Sequence, residues 1–311
     1  MSASIASVTV VFNAEKIIGR QMLALRLQSR KLEEIVVVDN GSTDGTVAIL
    51  SSQFPEVKIL QLGANMGVGG AFAAGLEYAT KQKQHDWIWL LDDDSVPTAH
   101  TLRKLLEGLT SVNGKGEALA MLAPVPVHSD LPLSYPGLLW RNGWRAASYS
   151  DEYQKVLFVD VVISSGTLVR GDIVLDVGLP RSDFFMDFVD FEYCLRLRKH
   201  GYQIGVVRDS FLDHAIGTPR KVKLLGFSTV WSDHAPYREF YLWRNYVYTI
   251  GEYSPNFKSW LFVFRRFLRH GLGVVLFGRK KCACLTMMFR GLVDGWRGRL
   301  GIRFRGEPGN A

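Results

Sequence analysis

Short apolar runs rich in β-branched residues alternate, through the first part of the chain, with stretches in which apolar positions recur every three or four residues. The runs at residues 8–12, 34–38, 57–62, 87–91 and 119–125 have the length and composition of strands. The stretches between them, at 17–28, 43–53, 69–80 and 99–109, carry a helical period. Strands and helices in strict alternation predict an α/β fold: a Rossmann-like, mostly parallel central sheet with helices on both faces. Ligands of such sheets bind beyond the carboxyl ends of the strands, so the residues that follow each strand are where chemistry is expected.

Farther along the pattern weakens. Residues 126–153 are rich in Pro, Gly, Ser and Trp and predict a long surface loop with little regular structure. A strand at 157–162 then leads to Ser164-Ser165-Gly166, an acidic-aromatic segment spans 183–196, and a last core strand is expected near 204–207. The first domain, 1–219, is expected to end near Pro219, and 220–311 to form a basic, helical C-terminal region. No internal repeat or low-complexity tract is present.

Composition narrows the class. Apolar residues make up 47% of the 311, enough for a well-buried core. The formal charge of +7 is concentrated between Arg265 and Arg305, which points to a local surface rather than a general affinity for polyanions. Cys194, Cys282 and Cys284 are odd in number and lack metal-ligand or redox spacing, so they read as reduced thiols in a cytoplasmic setting. The N-terminal stretch has neither a basic start nor a small-residue cleavage site and reads as a first strand, not a signal peptide. The greasy stretch 260–277 is interrupted by Arg265, Arg266, Arg269 and His270, against a transmembrane helix, and a peripheral membrane location stays open.

Three strand ends are chemically unusual. In Val38-Asp39-Asn40-Gly41-Ser42-Thr43-Asp44 a strand ends in a carboxylate placed to accept a hydrogen bond from a base N–H, with Ser42 to Asp44 able to cap the next helix; plain turning and capping is the competing reading. In Trp87-Ile88-Trp89-Leu90-Leu91-Asp92-Asp93-Asp94 a buried-type strand empties into three adjacent carboxylates. These repel one another without a cation, and Asp92 and Asp94, two apart, project to one side as a hard divalent ion needs; a solvated acidic turn before the next helix is the alternative. The third is Phe184-Phe185-Met186-Asp187-Phe188-Val189-Asp190-Phe191-Glu192, where aromatic surroundings would raise a carboxylate's pKa and make it a better proton acceptor. Asp190 is the candidate base; capping by Asp187 and Asp190, with Glu192 paired to Arg196, competes. His214, after the next strand, has a ring that can ligate Mn²⁺ or simply pack. The glycine-rich turn Asn65-Met66-Gly67-Val68-Gly69-Gly70 lacks the spacing of a phosphate cradle, and its glycines are expected to let a bound nucleoside approach the backbone.

The order of these motifs resembles the family 2 glycosyltransferases, on Val10-Val11-Phe12-Asn13, Val38 to Thr46, Asn65-Met66-Gly67, Leu91 to Ser95 and Asp190 to Arg196. Within that family it looks most like bacterial rhamnosyltransferases and secondarily like galactofuranosyltransferases, through residues 185–192 and Tyr241-Leu242-Trp243-Arg244-Asn245. The resemblance implies a GT-A fold and an inverting hexosyltransferase acting in cell-surface polysaccharide synthesis. Asp39 would contact the donor's pyrimidine, Asp92, Asp94 and His214 would hold Mg²⁺ or Mn²⁺, and Asp190 would be the catalytic base. Phe12, Asn13, Asn65, Gly67, Asp92 and Asp93 would line the nucleotide-sugar, Ser165 and Gly166 the sugar and acceptor pocket, and Arg244 would meet the diphosphate or an acceptor phosphate. The donor would be a dTDP- or UDP-sugar, dTDP-L-rhamnose first, and the acceptor a glycan or lipid-linked glycan. A nucleotidyltransferase or a non-catalytic nucleotide-sugar binder remain the readings from other classes.

In residues 257–277 apolar positions approximate one helical face, with Lys258, Arg265, Arg266 and Arg269 mainly elsewhere and Arg279-Lys280-Lys281 following. Such a helix suits an anionic membrane surface, and equally a contact with the catalytic domain or between copies in a homo-oligomer. No nucleic-acid motif accompanies the charge, so nucleic acid is not expected as a partner.

Overall fold

The computed structural model describes residues 3–112, 118–127, 137–149, 153–214, 220–224 and 227–305. In chain order its first elements are β1 (Ile5–Val11), α1 (Ile18–Arg26), β2 (Glu34–Asp39), α2 (Thr46–Gln53), β3 (Lys58–Gln61), α3 (Gly67–Glu77), β4 (Trp87–Asp92), β5 (Val96–Pro97), α4 (Thr101–Ser111) and β6 (Leu119–Val127). There follow β7 (Leu138–Trp140), β8 (Trp144–Ala146), β9 (Val156–Val159), β10 (Leu168–Arg170), α5 (Gly171–Val177), α6 (Val189–Lys199) and β11 (Gln203–Asp213). The chain continues with β12 (Arg220–Leu224), β13 (Phe227–Trp231), α7 (Pro236–Tyr253), α8 (Phe257–Phe277) and α9 (Lys281–Trp296).

The described residues fall into two compact units, one of Met1–Trp140, Trp144–Ser182 and Val189–His214, the other of Arg141–Gly143, Asp183–Phe188 and Ala215–Ala311. The boundary expected near Pro219 lies outside the described residues.

The first unit is built on β1, whose seven residues are all buried. A strand buried on both faces sits inside a covered sheet, here with the small polar Ser7 and Thr9 buried on one of them. β2 and β4 flank it in parallel, and the full order is β3-β2-β1-β4-β10-β6-β11-β5, with β9 also on β11. β10 runs antiparallel between β4 and β6, a three-residue insertion too short to show in the hydrophobic pattern. β11 is longer than the expected 204–207: its ladder with β6 breaks between Val206 and Phe211, so one strand bends across the polar residues Arg208 to Ser210 and carries His214 to the sheet's end. Residues 126–153 are not the featureless loop their composition suggests. Their described part contains the β7–β8 hairpin, where Trp140 and Trp144 pair across the strands with ring centroids 4.4 Å apart and Asn142 takes a left-handed φ of 60° in the turn.

In the second unit α7 starts with Pro236 in its first turn, and Asn256 caps α8 by accepting the Ser259 N–H at 3.0 Å. Gly291 and Gly295 on α9 face the α7 backbone at Phe240 and Arg244, where any side chain would force the helices apart. Phe185, Phe240 and Tyr241 form the core, with Met287, Ile302 and Phe304 against it. No helix among the described residues is long and apolar enough to cross a membrane.

Candidate active site

The ladders align the strand ends. Asp39 stands opposite Val11 and Asp92 opposite Val10, so the two carboxylates lie on either side of β1 at one end of the sheet, their backbones roughly 10 Å apart. The loops beyond are stitched together by side chains. Asn13, with φ 53°, donates its N–H to Ser42 Oγ at 3.0 Å and accepts the Thr43 N–H at 2.8 Å. Asp39 accepts the Ser42 N–H at 3.0 Å. Asn40 donates to Asn65 Oδ1 at 3.2 Å and accepts the Met66 N–H at 2.8 Å, while Asn65 also accepts the Gly67 N–H at 2.8 Å. Gly41, at φ +83°, lies so close to the Ala64 backbone that a Cβ would stand 2.7 Å from its carbonyl carbon. Phe12, Asn13, Asp39, Asn65 and Gly67 therefore form one continuous rim.

Beside this rim is the acidic cluster. Asp92 accepts a short hydrogen bond from Ser165 Oγ, and Gln21 Nε2 pins the turn through the carbonyls of Asp92 and Ser95. Asp94 Oδ1 lies 2.9 Å from His214 Nδ1, which is also 3.3 Å from Ser95 Oγ. Asp93 accepts the Phe12 N–H at 3.4 Å. One ligand atom each from Asp92, Asp94 and His214 lie within 4.8 Å of one another. The arrangement carries excess negative charge. Burial, then the neighbouring Asp94, push Asp93 up to about 7, and burial also raises Asp92 against the opposing pull of Ser165 and His214. Burial disfavours the His214 imidazolium, but its contact with Asp94 and the charges of Asp94, Asp92 and Asp213 outweigh that and raise its pKa. Asp94 Oδ1 is buried and, despite the ion-pair distance, makes no hydrogen bond of ordinary geometry. Two carboxylates and an imidazole around an under-satisfied oxygen fit a divalent cation.

Ser165 and Gly166 are docked on β4: Gly166 donates its N–H to Leu90 O at 2.8 Å and accepts Trp89 Nε1–H at 2.7 Å, in a φ of +78° that suits glycine. Asp190, in the first turn of α6, accepts the Phe191 N–H at 2.9 Å and lines a small, largely apolar cavity with Leu90, Ser164, Tyr193 and Cys194. Ser164 is next to Ser165, and Leu90 lies two residues before Asp92, so this cavity is walled by chain neighbours of the acidic cluster. The competing pair also forms: Arg196 holds the buried Glu192 at 3.1 Å.

Residues 7–120 match the model of glycosyl transferase family 2. The chain is 29% identical over 246 residues to the dTDP-rhamnosyl transferase RfbF of Shigella flexneri, covering 79% of each protein. It is 27% identical over 258 residues to the galactofuranosyltransferase GlfT1 of Mycolicibacterium smegmatis, covering 80% of this chain and 83% of that one. Residues 7–120 thus form a glycosyl transferase family 2 domain. The solved structure of GalNAc-T7 with UDP, GalNAc and Mn²⁺ superposes with a TM-score of 0.60 at 14% identity over 80% of this chain, which spans about half (48%) of that protein, and places the first unit in the GT-A fold.

One expectation for this glycosyltransferase meets contrary geometry. Arg244 is fully buried: its guanidinium donates to the carbonyls of Gly301 (2.5 Å), Asp183 and Phe184 (2.9 Å each) and to Asn245 Oδ1 (2.8 Å). With its donors engaged inside the second unit it acts as a framework cation, not a phosphate ligand. The glycines of the 65–70 turn also serve the chain itself, since the Arg181 carbonyl fills the space beside Gly69, and Met66 and Ser182 that beside Gly70. Sequence reasoning missed Gln21, Ser95 and Asn245. Asn245 Nδ2 donates to the carbonyls of Phe184 (3.0 Å), Met186 (2.7 Å) and Asp187 (2.9 Å), holding a turn in which Phe185, Asp187 and Phe188 all have positive φ. Its place in the run Trp243-Arg244-Asn245 was the available signal.

Proposed function

We propose that this glycosyltransferase moves L-rhamnose from dTDP-L-rhamnose to a hydroxyl of a lipid-linked glycan, with inversion, in the making of a cell-surface polysaccharide. The observation that carries the reading is the convergence of Asp92, Asp94 and His214 at one end of the sheet, and it is supported by Asp190 lining a cavity with Leu90 and Ser164, chain neighbours of Asp92 and Ser165. Asp39 takes the pyrimidine N–H, the rim from Phe12 to Gly67 holds the nucleoside, and Asp93 meets the ribose or the sugar. Asp92, Asp94 and His214 would hold Mg²⁺ or Mn²⁺, which when bound supplies positive charge against the departing diphosphate. Asp190 accepts the acceptor's proton while the acceptor oxygen attacks the anomeric carbon; the bond to the diphosphate breaks with its electron pair, and the configuration inverts in one displacement. Ser165 steadies Asp92, and Gly166 shapes the wall of the sugar pocket.

The relative named a dTDP-rhamnosyl transferase favours rhamnose, and the galactofuranosyltransferase and the UDP-bound GalNAc-T7 make a UDP-hexose the second choice. A panel of nucleotide-sugars with either metal, scored by thermal stabilisation and release of nucleoside diphosphate, decides between them. Response to dTDP-L-rhamnose supports the proposal, and response only to another donor replaces the sugar. Release of pyrophosphate or of sugar phosphate instead would mean attack at phosphorus and a nucleotidyltransferase. Donor binding without any turnover would mean a binding protein.

The C-terminal helices support a peripheral location at a membrane. On α8, Phe264, Leu268, Leu272, Val275 and Leu276 are exposed along one stripe beside Arg265, Arg266 and Arg269. The stripe suits the anionic cytoplasmic leaflet, where a lipid-linked acceptor would be met. Co-sedimentation with phosphatidylglycerol vesicles but not phosphatidylcholine vesicles is expected. A stable homodimer that ignores both would reassign the stripe to self-association.

A further inference from the structure

A second cluster of ligating side chains lies wholly within the C-terminal unit, where the sugar-transfer reading has no use for it. His234 stands just before α7, Glu239 lies in the first turn of α7 and His270 lies on α8. One donor atom from each lies within 4.8 Å of the others. His270 Nε2 is 2.9 and 3.0 Å from the two Glu239 oxygens, and His234 Nδ1 is 3.2 Å from Oε1. Ligand atoms sharing a tetrahedral zinc at about 2.0–2.1 Å are roughly 3.3 Å apart, close to these separations.

Three further observations favour a metal over a simple hydrogen-bonded triad. Glu239 is only 1% exposed, and among the described residues its ion-pair partners are the two imidazoles, with no Lys or Arg. His234 Nδ1 is buried and, although 3.2 Å from the carboxylate, makes no hydrogen bond of ordinary geometry; its lone pair or proton is misaimed for Glu239 but free to turn to a shared ion. The surroundings are those of a shielded site: the rings of Trp231 and Trp243 lie 5.5 and 5.8 Å from the His270 ring, and Cys284 on α9 rests its thiol on the His234 carbonyl at 3.7 Å.

We propose that His234, Glu239 and His270 form a structural site for a zinc-class divalent ion, which clips the segment before α7 to the middle of α8. Two imidazoles and one carboxylate suit a borderline ion of this kind rather than Mg²⁺ or Ca²⁺, which prefer oxygen. The ion would tie together three positions that no disulfide joins, and its fourth ligand would be water.

The test uses the full chain without a histidine tag, in an Asp94→Asn/His214→Gln background so that the first cluster cannot answer. After treatment with chelator the protein is titrated with Co²⁺ and then Zn²⁺. The proposal expects one equivalent of Co²⁺ with visible absorption bands, their loss on addition of Zn²⁺, and a thermal midpoint that rises with zinc. His270→Gln should abolish the bands and weaken zinc binding by more than about 100-fold, beyond what outer-shell changes produce. His234→Gln should do the same, and the chelator-treated parent, whose cluster is intact, provides the comparison should either variant misfold. Absence of bands and of a zinc-dependent midpoint in the parent would overturn the proposal, as would undiminished binding in both variants.

Discussion

Among the described residues the glycosyltransferase holds two clusters of three ligating side chains, and they differ in composition and in the burial of their carboxylates. Asp92, Asp94 and His214 lie at strand ends, all partly exposed, with two carboxylates to one imidazole. His234, Glu239 and His270 lie among helices, with a buried carboxylate and two imidazoles. The proportions reverse the electrostatics. Beside the first cluster, burial and then the neighbouring Asp94 raise the pKa of Asp93 to about 7; in the second, burial opposes the Glu239 charge but the two imidazoles overcome it and bring its pKa down to about 2. A surplus of negative charge can receive a cation together with a diphosphate, whereas a buried carboxylate balanced by two imidazoles is suited to holding structure together. Reactivity is thus expected of the first and stability of the second.

The sharpest way to break this contrast is substitution. Asp190→Asn should lower turnover by 10²- to 10⁴-fold, roughly the range for a lost general base, and leave donor binding in place. Asp94→Asn should lower kcat/KM by on the order of 10³-fold with little change in thermal midpoint. Glu239→Gln should do the reverse: a buried charge partner is lost, at about 3–5 kcal/mol by analogy with other buried pairs, while kcat/KM measured well below the midpoint stays within a few fold. Equal effects of the two substitutions on stability would erase the distinction drawn between the clusters.

Asn245→Ala comes next. It removes three hydrogen bonds to the turn that runs directly into α6, at about 1 kcal/mol or more apiece once carbonyls are left unpaired. A merely structural Asn would lower the melting point alone. If it also positions the start of α6, kcat should fall while donor affinity holds, and Asn245→Asp should fail to rescue, since a carboxylate cannot donate to carbonyls.

The first cluster was far more legible in the chain than the second. Strand periodicity located β1, β2 and β4, and the rule that ligands sit past the strand ends then picked out Asp39 and Asp92 without further information. Asp94 followed from two-residue spacing, because alternation along an extended segment is a local property. His214 needed only the end of one more strand. The second cluster depends on how α7 meets α8 across 31 residues of sequence, and no local period encodes that. The same reason hid the true role of Arg244, whose partners lie about 60 residues away, and the membership of Asp183–Phe188 in the second unit. Left-handed Phe185, Asp187 and Phe188 contain no glycine to announce the turn.

Acid stability offers a milder separation. Glu239 has a folded pKa below its ordinary value of 4.5, so its contribution is fully present above that value and is lost as the pH falls toward about 2. The wild type should therefore lose stability across that window more steeply than Glu239→Gln, as read by urea unfolding at a series of pH values. Asp93 moves the other way: raised by burial and by Asp94 from 3.8 to about 7, it costs stability as the pH rises between those two values and no more above them, so Asp93→Asn should remove that decline.

The smallest expected effect is kinetic and uses the cysteines as reporters. Cys282 is exposed, whereas Cys194 and Cys284 are buried, with burial raising the pKa of both. Thiol alkylation attacks the thiolate, so Cys282 should react first and the other two only when their surroundings open. Cys194 lines the cavity that Asp190 faces, and Cys284 rests on His234, so each reports on one of the two regions. Donor with Mg²⁺ should slow labelling of Cys194 and leave Cys284 unchanged, while zinc should slow Cys284 and leave Cys194 unchanged, as followed by mass spectrometry of peptides over time. If each addition protected both thiols alike, the two regions would open as one body, and the division between a reactive and a structural cluster would describe composition only, not the way the molecule works.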